Sequence, residues 1–378
     1  MIVVTHLLGT GHLTRAMTLA RAVVSNGHHA VVVSGGVRPF NLNTDNLPFV
    51  QLPPLRSNGI DFTKLLDPSG TIVDQSFLDQ RRHHLIETLA HEAPDVLVTE
   101  LFPFGRRILR DEFISLLNAA RALPKQPKIL ASIRDILAPP SKPKKVTFAD
   151  DLIHEFYDAV LVHSDENITP LELSWPVSPA LHSKLIYTGF VATPPPVPHP
   201  QQIGLDEILV SAGGGNVGNT LFSCAKSAAV LSPSQQWRIL VGGQDAASRC
   251  AELSKGAPPN LTIEPARPDF RQLLHHAAAS VSLCGYNTAL DILQSRCPAV
   301  FVPFDDGNEV EQGIRAQALA KQPGIEVLTN DVMTPERLLK NIKAAKSEPR
   351  EALDHTHTSG ATKTVTLIAA ILGGSHEI

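Results

Sequence analysis

The chain has 378 residues, 43% of them hydrophobic, and carries 33 Lys and Arg against 37 Asp and Glu, a formal charge of −4. This length suits about two domains, and the slightly acidic balance argues against nucleic acid as the main partner. We expect no secretory signal, because the N-terminus runs directly into an apolar strand without a basic region, and no membrane span, because no apolar run reaches roughly 18 residues. Four cysteines without a CxxC pair indicate reduced thiols in a cytoplasmic protein.

The N-terminal stretch predicts a strand, a glycine-containing turn and a helix. Apolar residues form the strand Ile2–Leu8, the turn reads GTGHLTR, and helical spacing continues to Gly27. This layout can cradle phosphate, although it is neither GxGxxG nor a P-loop. A helix start keeps His12 neutral, so that it could act as a general base. The alternative is that His12 only bonds the local backbone.

Polar residues follow two further strands of the first half. The strand Asp95–Glu100 leads into LFPFGRR, and the strand Lys128–Ile133 ends at Arg134. Both ends should lie at the ligand edge of an α/β sheet. The basic loop Pro139–Lys145 could meet an anionic acceptor or a membrane surface, or be a solvated loop. Other elements predicted here are strands at His29–Val33, Phe49–Leu52, Ala159–His163 and Leu185–Thr188, and a helix at Asp74–His91.

A proline-rich segment marks the domain boundary. Five prolines occupy seven positions from Pro194 to Pro200, which makes a stiff, extended linker. We therefore predict an N-terminal domain (1–192), a linker (193–202), a C-terminal domain (203–355) and a C-terminal helix (356–378) that packs back on the body.

The second domain repeats the plan of the first. The strand Glu207–Ser211 precedes GGGN, whose glycines and following helix form an anion-binding nest. The strand Arg238–Val241 ends in a second glycine turn, and Leu261–Ile263 leads to the loop 265–270. Helices are predicted at Pro335–Ala345 and Thr358–Leu372.

The stretch Ser280–Gln312 is the most informative about function. It predicts a strand, a turn at Gly285, a helix, the strand Ala299–Val302 and an acidic loop that begins at Asp305. Amides that open the helix can hold phosphate, Asp291 can accept hydrogen bonds from a ribose diol, and the acidic loop can bind sugar hydroxyls. The alternative is an ordinary βαβ unit with a polar loop.

Several of these motifs together resemble a known family. In order and spacing, GGGN, CGYNTALD and PF…EQGIRA resemble the GT-B glycosyltransferases of family 28, the family of lipid II N-acetylglucosaminyltransferases. The motifs GHLTRA, ELFPFGRR, SIRDIL and FYDAVLVHSD are similar to a branch of bacterial predicted glycosyltransferases. The resemblance covers nearly the full length. It implies an α/β GT-B fold, with two Rossmann-like doubly wound domains facing a cleft.

The resemblance also implies a donor site in the second domain. The diphosphate would face Gly213–Asn216, the uracil would lie against 265–270, and Asp291 stands where the family has a ribose-binding Glu. Gln312 would contact the donor sugar, and the family's Q-x-x-N-A reads QGIRA here, with Arg in place of Asn. The acidic loop is one residue longer than in the family, which leaves the sugar contacts of its glutamates open. His12 matches the histidine of the family's first glycine-rich turn.

The predicted site residues fall into three groups. The catalytic candidates are His12 and, next in order, Glu100. The donor-binding candidates are Gly213, Gly214, Gly215, Asn216, Gly243, Arg267, Asn287, Thr288, Asp291, Glu311 and Gln312. The candidates on the acceptor or phosphate side are Gly9, Gly11, Arg15, Arg107 and Arg134.

The resulting prediction is an inverting, metal-independent glycosyltransferase whose substrate is a UDP-sugar such as UDP-N-acetylglucosamine. We expect no cofactor and no metal site, since no DxD motif suits a metal role. The acceptor is an unidentified glycan, lipid or small molecule. The expected location is the cytoplasm, with peripheral contact with the inner membrane left open.

Two alternatives to a transferase stay open. The motif G-H-x-x-R also resembles nucleotide-sugar hydrolases of the same fold, which release UDP with water. A non-catalytic protein that binds a nucleotide sugar is the other alternative, although a histidine in the glycine turn argues against it. Sugar-nucleotide 2-epimerases share the architecture, but their acid/base residues are not found.

Overall fold

The computed structural model describes residues 1–7, 10–39, 42–57, 64–304, 309–348, 351–352 and 355–373. Contacts divide the chain into two compact units. The first comprises Met1–Val191 with Ser359–Ile378, and the second comprises Ala192–Thr358. Of the residues predicted to matter, Gly9 and residues 305–308 of the acidic loop 305–309 lie outside the described part.

The first unit contains a seven-stranded parallel sheet. Its strands are β1 (Ile2–Val4), β2 (Val32–Gly36), β3 (Phe49–Leu55), β4 (Val96–Glu100), β5 (Lys128–Arg134), β6 (Ala159–His163) and β7 (Leu185–Tyr187). They pair in the order β3-β2-β1-β4-β5-β6-β7. The central strands are mostly apolar and are buried along most of their length, as expected where helices cover both faces.

Helices of the first unit follow its strands. They are α1 (Gly11–Ser25), α2 (Gln75–Glu92), α3 (Arg110–Ala122), α4 (Lys144–Phe156) and α5 (Pro179–His182). The side chain of Asp74 caps α2 by accepting from Phe77 N–H at 2.8 Å. The predicted basic loop Pro139–Lys145 is wrong at its end, because α4 begins at Lys144. Its buried face of Ala149, Leu152, Ile153 and Phe156 stabilises the helix.

Two glycines explain why β2 differs from its prediction. The strand runs from Val32 to Gly36, so it both starts and ends three residues later than the predicted His29–Val33. Its end lies further on because Gly35 and Gly36 form part of the strand and no turn. A Cβ on Gly35 would lie 2.3 Å from Thr5 Oγ1, and one on Gly36 would lie 2.3 Å from the His6 carbonyl oxygen. Glycine therefore allows the strand to pass close to the segment after β1.

The second unit contains a six-stranded parallel sheet. Its strands are β8 (Glu207–Ser211), β9 (Gln236–Val241), β10 (Leu261–Pro265), β11 (Ala279–Ser282), β12 (Ala299–Phe301) and β13 (Ile325–Val327). They pair in the order β10-β9-β8-β11-β12-β13. Its helices are α6 (Asn219–Leu231), α7 (Ala246–Ser254), α8 (Phe270–Leu273), α9 (Tyr286–Leu293), α10 (Glu311–Leu319), α11 (Pro335–Ser347) and α12 (His355–Thr358).

The C-terminal segment returns to the first unit. Val191 and Ser359 form an antiparallel bridge, and Gly360 N–H donates to the Phe190 carbonyl oxygen at 3.0 Å. The last helix, α13 (Gly360–Gly373), then packs on α1. A Cβ on Gly360 would lie 2.3 Å from the Gly189 carbonyl oxygen, so glycine is needed where the two backbones meet.

The two sheets share one strand order, which confirms the prediction of two doubly wound α/β domains. In each sheet the first strand of the unit lies in the middle, and the strand order reverses beside it. The reversal falls between β1 and β4 in the first unit and between β8 and β11 in the second. Ligands of such sheets bind at the carboxyl ends of the strands at this reversal. Each unit therefore has one crevice in which a site is expected.

Candidate active site

A histidine and a glutamate meet in the crevice of the first unit. His12 is the second residue of α1, and Glu100 is the last residue of β4. His12 Nδ1 lies 3.0 Å from Glu100 Oε1, although the two residues are 88 positions apart. The side chain of His12 is 16% exposed and that of Glu100 is 1% exposed. Our sequence analysis treats them as alternative bases, whereas the structure joins them in one pair.

Electrostatics determine which partner of this pair carries the charge. Burial alone would raise the pKa of Glu100, but Arg15, His12 and the Ser132 hydroxyl together lower it to about 2. Burial lowers the pKa of His12 to about 4, and Glu100 only partly opposes this shift. Near neutral pH the carboxylate is therefore ionised and the imidazole is neutral. The sequence predicts a neutral His12 because of its position at a helix N-terminus. In the structure the main cause of the lowered pKa is burial.

The charge state also fixes the tautomer of His12. Because ionised Glu100 can only accept, the proton of the neutral ring must lie on Nδ1, which donates to Glu100. Nε2 then keeps its lone pair and is the basic nitrogen. Arg15 Nη2 lies 3.2 Å from His12 Nδ1, a close contact of two donors, and it bonds to Glu100 Oε1. Arg15, predicted on the acceptor or phosphate side, is thus a buried partner of Glu100.

A second layer of polar residues holds the other oxygen of Glu100. Ser132 Oγ lies 2.6 Å from Glu100 Oε2 and 3.0 Å from His163 Nε2. His163 Nδ1 lies 2.8 Å from Thr188 Oγ1. Ser132, His163 and Thr188 are fully buried. None of the three is predicted from the sequence, and the available signal is weak: a serine between the apolar residues of β5 and a histidine at the end of the apolar strand β6.

The turn after β4 presents a different arginine from the one predicted. Leu101 (φ 69°) and Arg106 (φ 59°) both adopt the left-handed region, which is costly for residues other than glycine and is concentrated at functional sites. Arg106 Nε donates to the Thr5 carbonyl oxygen. Burial lowers the pKa of Arg106 to about 10 and Glu100 opposes the shift, so its charge acts on the pair.

The other predicted residues of this crevice contact local backbone. Arg107 donates to the Phe104 carbonyl oxygen, and burial lowers its pKa. Arg134 Nε donates to the Ile136 carbonyl oxygen at 3.1 Å. Gly11 opens α1, and no described atom lies within 4 Å of where its Cβ would be. Arg106 is therefore the functional candidate that sequence analysis passes over in favour of Arg107.

The crevice of the second unit is built from two glycine turns that pack together. Asn216, in the turn after β8, donates from Nδ2 to Asp245 Oδ2 at 3.2 Å. A Cβ on Gly242 would lie 2.0 Å from the Gly213 carbonyl oxygen, and one on Gly243 would lie 1.6 Å from Asn216 Oδ1. Glycine at 242 and 243 is therefore required by the packing of one turn against the other.

Other glycines in this crevice have no such explanation. No described atom lies within 4 Å of a Cβ built on Gly214 or Gly285, and neither has a positive φ. Gly285 caps α9, whose first turn contains Asn287 and Thr288. Because glycine has no side chain to cap a helix, the amides that open α9 have no partner from that residue. Backbone amides beside open space suit an anionic ligand.

Two arginines that sequence analysis does not assign to the site support these turns. Arg249 donates to the carbonyl oxygens of Gly242 at 2.9 Å and Val217 at 2.8 Å, and its guanidinium lies 5.6 Å from the ring centre of Phe222. Arg315, which replaces the family's Asn, is buried and donates to the Cys284 carbonyl oxygen at 3.0 Å. It therefore braces the backbone just before α9.

Asp291 has a protein partner that the sequence does not reveal. Arg271 Nε donates to Asp291 Oδ1 at 2.6 Å, and Arg271 Nη2 donates to Gln294 Oε1 at 2.7 Å. The Thr193 carbonyl oxygen accepts from both Gln294, at 3.1 Å, and Arg271, at 3.3 Å. Burial raises the pKa of Asp291 to about 6, although Arg271 opposes the shift. Asp291 thus belongs to a cluster that holds the start of the proline-rich segment.

The remaining donor-side candidates make mainly local contacts. Arg267 forms two hydrogen bonds with Asp269, at 2.8 and 2.7 Å. Gln312 Oε1 accepts from Phe304 N–H at 3.2 Å. Glu309 Oε1 accepts from the amides of Glu311, at 2.8 Å, and Gln312, at 3.3 Å, so it caps α10. Glu311 and Gln312, which are predicted to bind the donor, are the first two residues of this helix.

Within the described ranges, no group of three His, Cys, Asp or Glu side chains is arranged to hold a metal ion. Within the same ranges, no helix combines the length and the apolar character needed to cross a membrane.

Comparison with known proteins bears on the family and the fold. Residues 208–371 match the glycosyltransferase family 28 C-terminal domain. The fold is GT-B, and the chain resembles family 28. A relative from Brucella anthropi, UDP-N-acetylglucosamine–N-acetylmuramyl-(pentapeptide) pyrophosphoryl-undecaprenol N-acetylglucosamine transferase, is 33% identical over 144 residues. That match spans 36% of this chain and 38% of the relative, so the chain matches well under half of that relative's length.

Solved structures extend the likeness over the whole chain. MurG of Acinetobacter baumannii has a TM-score of 0.63 and 18% identity, covering 97% of this chain and 99% of its own. The calicheamicin glycosyltransferase CalG4 has a TM-score of 0.62 and 16% identity, covering 99% and 98%. At these identities the likeness establishes the fold. The Brucella anthropi relative is named as an N-acetylglucosamine transferase and CalG4 as a glycosyltransferase, in accord with the predicted enzyme class.

Proposed function

We propose that the protein is an inverting, metal-independent glycosyltransferase that takes a UDP-sugar as donor. The observation that carries the proposal is the His12–Glu100 pair, with Nδ1 held 3.0 Å from a buried carboxylate and Nε2 left as the basic nitrogen. This is the arrangement of a general base whose orientation a third group maintains. The first unit would bind the acceptor and the second unit the donor.

The proposed reaction transfers one proton and exchanges one bond. His12 Nε2 removes the proton of an acceptor hydroxyl. The acceptor oxygen then forms a bond to the anomeric carbon of the sugar while the bond from that carbon to the diphosphate oxygen breaks. Attack from the face opposite the leaving group inverts the anomeric centre. Glu100 stabilises the imidazolium that forms, and Arg15 keeps Glu100 ionised.

The second unit offers groups for a leaving diphosphate. The amides of the turn Gly213–Asn216 and of the first turn of α9 can donate to its oxygens, and Gly214 and Gly285 leave room for it. Their fixed dipoles can take the place of a metal ion as charge develops. Asp291 would accept from the ribose diol, in which case it would share its carboxylate with Arg271.

The donor identity rests on the names of the relatives. The Brucella anthropi protein is named as an N-acetylglucosamine transferase that uses UDP-N-acetylglucosamine. By likeness we propose UDP-N-acetylglucosamine as the donor of this protein. The acceptor is a lipid-linked glycan or a small molecule, and a cytoplasmic protein with peripheral membrane contact would suit a lipid acceptor.

The test uses a panel of UDP- and GDP-sugars. Calorimetry should detect UDP-N-acetylglucosamine binding, and without acceptor the protein should release UDP slowly. Adding bacterial lipid extract or a mixture of small-molecule alcohols to UDP-N-acetylglucosamine with a radiolabelled sugar should move label into one fraction. Fast UDP release without acceptor would instead indicate a nucleotide-sugar hydrolase, and binding with neither release nor transfer would indicate a non-catalytic protein.

A further inference from the structure

A chain of buried hydrogen bonds runs behind Glu100 across three neighbouring strands. It passes from Glu100, at the end of β4, through Ser132 in β5 to His163 at the end of β6, and ends at Thr188 after β7. All four side chains of this path are at most 1% exposed. The proposed mechanism requires only His12, Glu100 and Arg15. Buried polar side chains destabilise a fold unless each has its hydrogen-bond partners. A chain of them at this depth therefore indicates a role beyond packing.

Proton counting selects one arrangement of this chain. The buried and ionised oxygen Glu100 Oε2 needs a donor, and Ser132 Oγ–H at 2.6 Å can supply it. Ser132 Oγ must then accept from His163 Nε2–H. His163 is neutral, because burial lowers its pKa to about 3, and in this arrangement its unprotonated Nδ1 accepts from Thr188 Oγ–H. The Thr188 hydroxyl then does not donate to the Gly189 carbonyl oxygen, which also lies 2.8 Å from it. The need of the ionised Glu100 for a donor favours this arrangement. The opposite tautomer of His163 would draw the Ser132 proton away from Glu100.

We propose that Ser132 and His163 are positioning residues: they hold the Glu100 carboxylate and, through it, set the tautomer and the basicity of His12. This deepens the proposed function and rests on it for the role of His12. The charged groups that face His12 are Glu100 from β4, Arg15 from its own helix and Arg106 from the turn after β4. Ser132 is uncharged, and by donating a hydrogen bond to Glu100 Oε2 it reduces the negative charge that Glu100 presents to His12.

The first test needs no substrate. In the ligand-free protein labelled with ¹⁵N-histidine, ¹⁵N chemical shifts at neutral pH distinguish protonated from unprotonated ring nitrogens. His163 should be protonated at Nε2, and His12 should be protonated at Nδ1. A His163 protonated at Nδ1 would overturn the proposal, whether or not the protein transfers a sugar.

The second test compares Ser132→Ala with a matched control. Without the Ser132 donor, Glu100 Oε2 keeps more of its negative charge for His12, and the His12 pKa should rise by about one pH unit. The ¹⁵N titration reports this shift directly, and the acid limb of the activity profile should move to higher pH by the same amount. Serine to alanine adds no atoms but leaves Glu100 Oε2 and His163 Nε2 without their partner, so the variant should fold with a lowered thermal stability. The His12 titration is read on the folded variant.

Ser34→Ala is the control. Ser34 is an equally buried serine of β2 whose hydroxyl has no hydrogen-bond partner in the described part of the chain. Its titration and pH profile should match those of the unchanged protein. A Ser132→Ala variant with less activity but an unshifted His12 pKa would overturn the proposal, because Ser132 would then be only structural. If the protein transfers no sugar, the ¹⁵N titrations of His12 in the Ser132→Ala and Ser34→Ala variants still test the positioning role.

Discussion

The two crevices lie at the same point in the strand order of their sheets, but different chemical groups line them. Between β1 and β4 the ligand edge is lined by titratable side chains, His12 and Glu100, which hydrogen-bond to each other. Between β8 and β11 it is lined by glycine turns and the opening amides of α9, with open space at Gly214 and Gly285. Side chains that can move a proton lie in one unit, and backbone groups that can hold an anion lie in the other. The two units therefore share one architecture, and the residues that follow the strands determine which unit can move a proton and which can hold an anion.

The largest expected effect comes from removing the base. His12→Gln should lower kcat by roughly 10²–10⁴-fold, the usual range for the loss of a general base. The Kd for UDP should stay nearly unchanged, because the second unit would supply those contacts. Turnover and calorimetry on one sample, with exposed His29→Gln as the control, check both values. A folded and fully active His12→Gln protein would remove His12 from the mechanism.

The partner of the base should come next in size. Glu100→Gln should lower kcat by roughly 10²–10³-fold, because an amide no longer stabilises the imidazolium. It should also destabilise the fold by about 3–5 kcal/mol, since Arg15 loses its buried carboxylate. Glu112→Gln is the matched control, because Glu112 is likewise buried and paired with Arg81. That control should lose stability but keep its activity per folded molecule, whereas equal kinetic losses in both variants would argue for a structural role of Glu100.

The residues of the first crevice show which parts of the site can be predicted from the sequence alone. His12 and Glu100 are each identifiable as polar residues that follow apolar strands, but their pairing across 88 positions depends on which strands become neighbours. Ser132 and His163 are hidden because a polar residue within an apolar strand looks the same whether or not it has a partner. Arg106 and Arg107 are indistinguishable until the left-handed turn at Arg106 orients the first of them.

The fold was more predictable than the site, and the errors have physical causes. The strands β6 and β8 match their predicted bounds, because turn residues flank short apolar runs. The start of α4 was hidden by prolines and lysines, and α10 was hidden by the acidic residues before it. Glycine was the most ambiguous signal: Gly35 and Gly36 extend a strand, whereas Gly243 forms a turn.

The donor side offers the third prediction. Asp291→Asn should weaken UDP binding by about 1–3 kcal/mol, the loss of a charge-assisted hydrogen bond to the ribose. Because the pKa of Asp291 is raised to about 6, UDP affinity of the unchanged protein should also fall as the pH drops through that value. Gln294→Ala is the control, since Gln294 shares Arg271 and the Thr193 carbonyl oxygen with this cluster. Calorimetry that finds equal UDP affinity in both variants would reduce Asp291 to an anchor of the proline-rich segment.

The pH dependence of stability should differ between the crevices. Burial lowers the pKa of His12 from 6.5 to about 4, so between these values the unfolded chain binds more protons and stability falls as the pH falls. Asp291 has the opposite sign, because its raised pKa makes the folded state bind more protons between pH 3.8 and about 6. His12→Gln should reduce the pH slope of the unfolding free energy by up to about 1.4 kcal/mol per pH unit. Denaturant unfolding at several pH values measures it, and an unchanged slope would mean that His12 titrates normally.

The smallest expected effect concerns Gly214, a glycine with open space around it, and tests whether that space holds a ligand. Gly214→Ala adds a Cβ that meets no described atom within 4 Å, so thermal stability should not change. The same Cβ would stand where a diphosphate approaches the amides, and UDP affinity should fall by about 1 kcal/mol, the size of one weakened hydrogen bond. Gly243→Ala is the contrast, because its Cβ would overlap Asn216 Oδ1 at a φ of +96°, and folding itself should suffer. Thermal unfolding and UDP calorimetry on both variants separate a glycine kept for the ligand from one kept for the fold. Unchanged UDP affinity in Gly214→Ala would place the diphosphate elsewhere and leave the amides of α9 as its remaining site.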